Sequence, residues 1–191
     1  MIIDPSHEES RELTMTILMT PEMVNFAGNV RGGLILKYLD QVAYTCASRF
    51  TRPYMVTASV DQVCFRSALH NGDVVTFLAS VNHTGRTSLE VGIRVEAEDV
   101  TSGARRHTNS CYFTMVAVDG GRPCAVRQVI PAAPEQLRRW ADAEARRGLR
   151  RLRSRRSSDW RMPGSVPSWA AAGTPSRAAA TPIFATRTQM A

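Results

Sequence analysis

One carboxylate and two adjacent glycines are the residues of this chain best placed to do chemistry. They lie in the run Asn25-Phe26-Ala27-Gly28-Asn29-Val30-Arg31-Gly32-Gly33-Leu34-Ile35-Leu36-Lys37-Tyr38-Leu39-Asp40. Paired glycines at a helix start leave backbone N–H groups bare, and the positive end of the helix dipole there can hold a developing oxyanion. Asp40, about two turns further along, adds a group that can move a proton, so the segment reads as chemistry on a carbonyl. Its helix neighbours Leu36 and Ala43 are apolar. The expectation is a desolvated carboxylate whose charged form is disfavoured, which moves it toward the working range of a general base. The competing reading is an interface carboxylate paired with an arginine of another subunit, or one that hydrogen-bonds only backbone.

The elements that must position these residues follow from periodicity. Arg11 to Met19 alternates as a strand, and Pro21 ends it. A helix is predicted from about Gly33 to Phe50, with Leu36, Leu39, Ala43, Cys46, Ala47 and Phe50 at three- and four-residue steps and few polar residues on its other faces. Four strands follow: Tyr54 to Ser67, Val74 to His83, Arg86 to Asp99 and Arg105 to Asp119, punctuated by Asn71-Gly72-Asp73, Thr101-Ser102-Gly103 and Asp119-Gly120-Gly121. In the third, Leu89, Val91, Ile93 and Val95 oppose Ser88, Glu90, Arg94 and Glu96. A nearly all-apolar helix followed by a meander of long antiparallel strands predicts an α+β domain in which a curved sheet wraps the helix.

Charge divides the chain. Up to Pro131 there are 12 cationic against 13 acidic residues, and beyond it 12 against 4, so the net +7 belongs to the tail. No nucleic-acid partner is expected of the near-neutral body. Residues 134–152 can form a helix with Leu137, Trp140, Ala141, Ala145, Leu149 and Leu152 on a ragged apolar face and arginines opposite, read as a solvated helix. From Ser154 the composition of Ser, Pro, Ala, Gly and Arg predicts disorder. Three units result: residues 11–131 as the domain, 132–153 as the arginine-rich helix and 154–191 as the tail.

Cys46, Cys64, Cys111 and Cys124 are widely spaced with no CxxC pair, which argues against zinc and against a disulfide framework. No run reaches the roughly 18 apolar residues of a membrane span, and Met1 to Glu9 lacks a basic and an apolar leader region. An intracellular, soluble, cytoplasmic protein with reduced thiols is the expectation.

Six blocks in order, Gly28-Asn29-Val30-Arg31-Gly32-Gly33, Leu36 to Ala43, Asp61-Gln62-Val63-Cys64-Phe65, Gly72-Asp73-Val74-Val75, His83-Thr84-Gly85-Arg86-Thr87-Ser88-Leu89-Glu90-Val91 and Val116-Ala117-Val118-Asp119, resemble the hotdog-fold acyl-CoA thioesterases, the group of cytosolic acyl-CoA hydrolases and YciA-like enzymes. The likeness covers roughly residues 11–131. It implies a long central helix wrapped by an antiparallel sheet, two such hotdogs paired edge to edge as a homodimer with the active site at the interface, and assembly of the dimers as trimers of dimers. The implied reaction is hydrolysis of acyl-CoA to free acid and CoA, without metal or cofactor, CoA being part of substrate and product.

On this resemblance Asp40 is the general base, or a nucleophile that forms an anhydride. Asn29 faces it across the dimer and polarises the thioester carbonyl or orients water, while Gly33, with Gly32 beside it, donates the oxyanion N–H. A turn or N-cap asparagine and a tight helix–strand approach are the structural alternatives for Asn29 and Gly33. Arg86, Thr87 and Ser88 would contact CoA through a guanidinium, two hydroxyls and free N–H groups; a plain hydroxyl-rich turn is the alternative. Arg31 and Arg66 are weaker candidates. His7, His70, His83 and His107 are scattered and no GxSxG elbow is present, which disfavours a Ser-His-Asp hydrolase. A hotdog that binds acyl-CoA without cleaving it, or one whose basic tail docks to an anionic membrane or nucleic acid, is the alternative function.

Overall fold

The computed structural model describes residues 11–156, with side chains to residue 152. Of the tail predicted as disordered from residue 154, residues 154–156 instead continue the last helix, and the rest, with Trp160 and Trp169, lies outside the described residues. In chain order the elements are β1 (Glu12–Leu18), a single 3-10 turn (Pro21–Met23), α1 (Gly32–Thr51), β2 (Tyr54–Val60), β3 (Asp73–Thr84), β4 (Ser88–Asp99), β5 (Arg105–Asp119), the short β6 (Arg122–Pro123) and α2 (Pro134–Arg156).

All neighbours in the sheet are antiparallel, in the order β1-β3-β4-β5-β2 with β6 beside β5. Register shifts at Thr57/Ser59, Val81/His83 and Val95/Glu96 mark bulges, which add local twist and let the sheet curl. Inside the curl lies α1. Its three- and four-residue steps set Ile35, Leu39, Val42, Ala43, Cys46, Ala47 and Phe50 against Val75, Phe77, Val91, Ile93, Cys111, Phe113 and Met115 in one buried core. Each large side chain there contributes roughly 1.5–3 kcal/mol of burial. The helix stops where Arg52 enters the left-handed region at φ 72, its N–H on Ser48 O, with Pro53 next.

Two elements differ from the sequence reading. The strand expected from Tyr54 to Ser67 ends at Val60. Residues beyond it alternate like a strand but form no continuous ladder: Asp61 N–H on Tyr112 O at 2.9 Å and Arg66 N–H on Thr108 O at 2.8 Å still hold them to β5, while the Asp61 carboxylate reaches Arg150 of α2 at 2.6 Å and Phe65 packs toward Gly32. The arginine face of α2 is not solvated either. It lies on the outer side of the sheet, where Arg146 and Arg150 close on Glu90 at 2.7 and 3.3 Å. Glu90, at 3% exposure, is thus an outward-facing strand residue buried by a helix that arrives later in the chain. Trp140 stacks on His83 with ring centroids 4.3 Å apart, while Leu137, Leu149 and Leu152 face solvent.

Among the described residues no helix is long and apolar enough to cross a membrane.

Candidate active site

Because Ile35, Leu39, Val42 and Cys46 occupy the sheet side of α1, the residues between them form an outward stripe: Gly33, Leu36, Lys37, Asp40 and Tyr44, all exposed. Asp40 therefore sits in water in the single protomer. This corrects the expectation of a carboxylate desolvated by its helix neighbours, since Leu36 is apolar by type yet 42% exposed by position. Desolvation of Asp40 has to come from outside the chain.

The stripe runs beside β2, the last strand of the sheet, whose outer edge pairs with no strand among the described residues. From β2 the Thr57 hydroxyl donates to Asp40 Oδ1 at 2.6 Å, and it also lies 3.5 Å from Met115 Sδ. A hydroxyl donor to the ionised form fixes the carboxylate while leaving its second oxygen available.

The turn before α1 is built by a second asparagine. Asn25 Oδ1 accepts the N–H groups of Ala27 at 2.9 Å and Asn29 at 3.1 Å, Gly28 takes φ 77, and Val24 bridges Val30. With its oxygen held by backbone, the exposed Asn25 amide has its NH2 left to donate. Asn29 is half-buried and its backbone bridges His70, while Val30 N–H bonds Leu69 O at 2.8 Å. That neighbouring loop is itself clamped. Buried Asp73 accepts the His70 N–H at 2.7 Å and pairs with Arg106, which also donates to Ala68 O at 3.0 Å.

At the helix start, Leu34 and Ile35 donate to Arg31 O at 3.0 and 3.3 Å. Among the described residues the N–H groups of Gly32 and Gly33 meet no acceptor. A Cβ added at Gly33 would meet nothing within 4 Å, so the tight helix–strand approach does not account for this glycine. About 10 Å of helix separates Gly33 from Asp40. A carbonyl held by the Gly33 amide thus lies about two turns of helix from the Asp40 backbone of the same copy.

Arg86, Thr87 and Ser88 stand apart from this stripe, at the turn between β3 and β4, closed by Gly85 N–H on Ser88 O at 2.7 Å. Arg86 is exposed, Thr87 and Ser88 half-buried. Burial pushes the Cys46 and Cys111 thiols up to about 12, which keeps them protonated and inert. No group of three His, Cys, Asp or Glu that could hold a metal occurs among the described residues.

Known proteins share this fold. A Thioesterase superfamily model matches residues 27–104. Protein VdlD of Helicobacter pylori is 43% identical over 139 residues, 73% of this chain and 80% of that one. The crystal structure of an apo-hexameric acyl-CoA thioesterase agrees with a TM-score of 0.74 at 38% identity, over 78% of this chain and 95% of that one. The chain belongs to the hotdog-fold acyl-CoA thioesterases. A further hotdog of this kind, the acyl-CoA hydrolase of Staphylococcus aureus, solved with butyryl coenzyme A, coenzyme A and coenzyme A disulfide, agrees with a TM-score of 0.71 at 27% identity, over 79% of this chain and 94% of that one. It has also been solved with an asparagine, an aspartate or a threonine replaced by alanine. Those three stand at the same spacings as Asn25, Asp40 and Thr57 of this thioesterase.

Two residues at those spacings, Thr57 and Asn25, were not singled out by sequence reasoning. Thr57 gives no signal in an alternating strand; only the fold sets it on Asp40. Asn25 had a usable one, since a side-chain oxygen two residues before an Ala-Gly turn is placed to cap that turn.

Proposed function

We propose that two copies of this chain pair along their open β2 edges and build sites in which an acyl-CoA is hydrolysed to free acid and CoA. Asp40 acts from one copy, and the Gly32 and Gly33 amides with an asparagine act from the other. The observation that carries this reading is the separation along α1: the proton acceptor and the bare amides lie on one exposed stripe beside an open sheet edge, two turns apart. A symmetric pair sets the acceptor of each copy against the amides of its partner. The same contact desolvates Asp40 and covers Leu36 and Tyr44.

In the proposed reaction Asp40 takes a proton from water as the oxygen attacks the thioester carbonyl. The Gly33 N–H, with Gly32 beside it, holds the oxyanion, and the CoA thiolate leaves and takes the proton back from Asp40. Direct attack by Asp40, giving a mixed anhydride, is the other route open to the same carboxylate; transfer of heavy oxygen from solvent into Asp40 marks it. We assign the amide role to Asn25 in place of Asn29, because Asn25 is exposed with its oxygen tied to backbone and matches the spacing of the asparagine replaced in the S. aureus hydrolase. Thr57 orients Asp40. Arg86, Thr87 and Ser88 bind the nucleotide end of CoA. No cofactor enters these steps. Assembly of the dimers as a trimer of dimers is supported by the hexameric relative, and free cysteines suit a reducing cytoplasm.

The basic-tail alternative is weakened by the fastening of Arg146 and Arg150 to Glu90 and Asp61. The test is thiol release from acetyl-, octanoyl- and palmitoyl-CoA by the wild type and by Asp40→Asn. Turnover that vanishes in the variant supports the reading; a wild type that binds these thioesters and cleaves none would make this a binding hotdog.

A further inference from the structure

Four arginines of α2 point toward the sheet, and three of them are answered by carboxylates. Arg139 bonds Glu135, Arg146 bonds Glu90, and Arg150 bonds Asp61 and Glu90. Arg147 differs. Among the described residues it makes no ion pair. Glu144 faces it from one turn earlier, beyond ion-pair distance, while Arg150 and Arg151 face it with like charge. Burial together with those two neighbours pushes its pKa down.

Its guanidinium rests on the turn between β3 and β4. A Cβ at Gly85 would lie 3.0 Å from Arg147 Nη2 and 3.4 Å from its Cζ. Gly85 is not among the positive-φ glycines, and its missing Cβ leaves room for the guanidinium and for Ser88 Oγ, which that Cβ would meet at 3.2 Å. The turn is also polarised. Gly85 O accepts from Gln128 at 2.9 Å, Arg86 O from Val126 N–H at 3.0 Å and Thr87 O from Ala117 N–H at 2.9 Å. Its carbonyls are thus tied down, while the N–H groups of Arg86 and Thr87 meet no acceptor among the described residues. Bare amides, two hydroxyls and two guanidiniums around one turn suit a multiply charged phosphate.

The place fits the proposed reaction. Thr57 pairs with Met115, and Met115 with Leu89, so the turn opens directly beyond the cross-strand row that carries Thr57. Two strand spacings, about 10 Å, lie between them. One extended ligand can put a phosphate at the turn and a thioester at Asp40.

We propose that Arg147, with Arg86 and the Arg86 and Thr87 amides, forms a phosphate clamp for the nucleotide end of the thioester substrate, so that α2 selects free CoA thioesters over thioesters lacking the nucleotide. This rests on the acyl-CoA reading above. The test compares acyl-CoA with the matching acyl-pantetheine, which has the same thioester and no phosphate, in the wild type, Arg147→Gln, Arg147→Lys and Gly85→Ala.

Arg147→Gln is expected to raise KM for acyl-CoA about tenfold, the loss of one charge-assisted contact, with kcat unchanged and acyl-pantetheine turnover untouched. Arg147→Lys recovers part of the loss, and Gly85→Ala, which displaces the guanidinium, reproduces it in weaker form. An unchanged KM for acyl-CoA in Arg147→Gln, or an equal rise on both substrates, overturns the clamp. If the wild type cleaves neither thioester, the reaction assigned above falls, and calorimetric titration of wild type and Arg147→Gln with CoA still decides the clamp: about tenfold weaker binding in the variant upholds it, equal affinity refutes it.

Discussion

Two carboxylates on opposite sides of this sheet are held in opposite ways. Glu90, on the outer face, is 3% exposed and gripped by Arg146 and Arg150. Asp40, beside the open edge of β2, is exposed and held by one neutral hydroxyl. A carboxylate closed by two arginines has its oxygens occupied, and its work is to fasten α2 to the sheet. One held by a single hydroxyl keeps an oxygen free for water or substrate. The difference separates fastening from chemistry more clearly than residue type does.

The largest effect is expected on the open side. Asp40→Asn keeps the shape and the contact to Thr57, so the melting temperature stays put while kcat falls about 10²- to 10⁴-fold; thiol-release kinetics and a thermal melt read the two. On the closed side the reverse holds. Glu90→Ala leaves Arg146 and Arg150 without their buried partner and costs about 3 kcal/mol of stability, seen as a lower urea midpoint, with kcat per folded site little changed.

Thr57→Val removes the one side-chain donor to Asp40 among the described residues. A loss of about tenfold in kcat is expected, with KM nearly constant, because the hydroxyl orients the base and does not bind substrate.

The smallest effect concerns His83, packed beneath Trp140 on the covered face. Burial first, and then Arg147, depress its pKa below the ordinary 6.5. The unfolded chain takes up this proton near pH 6.5 while the folded chain resists it. Stability present above that pH is therefore lost as pH falls below it. Melting temperatures between pH 7.5 and 5.5 check the slope, and His83→Asn is expected to flatten it.

How much of this was legible in the sequence depended on how local the cause was. The central helix follows from three- and four-residue spacing, which the curled sheet then satisfies. The strand after it was read too long because Gln62 and Cys64 alternate with Val63 and Phe65, whereas the segment beyond Val60 holds β5 only through separate Asp61 and Arg66 N–H bonds and no continuous ladder. Nothing near α2 in sequence announces Glu90, so its arginines looked like a solvated face. Asp40 was identifiable by type and position, but its exposure was not, because the residues that would bury it belong to the open edge. Thr57 was invisible for the same reason: its role exists only once the strand lies against the helix.

The central claim is that one working site needs Asp40 from one copy and the asparagine turn from another. Co-expression of Asp40→Asn with Asn25→Ala, each nearly inactive alone, tests it most directly. Mixed dimers then contain one intact and one doubly damaged site, so about a quarter of wild-type activity returns for random pairing. Mixtures no more active than either variant alone would contradict it, because Asp40 and Asn25 would then serve the same site from the same copy.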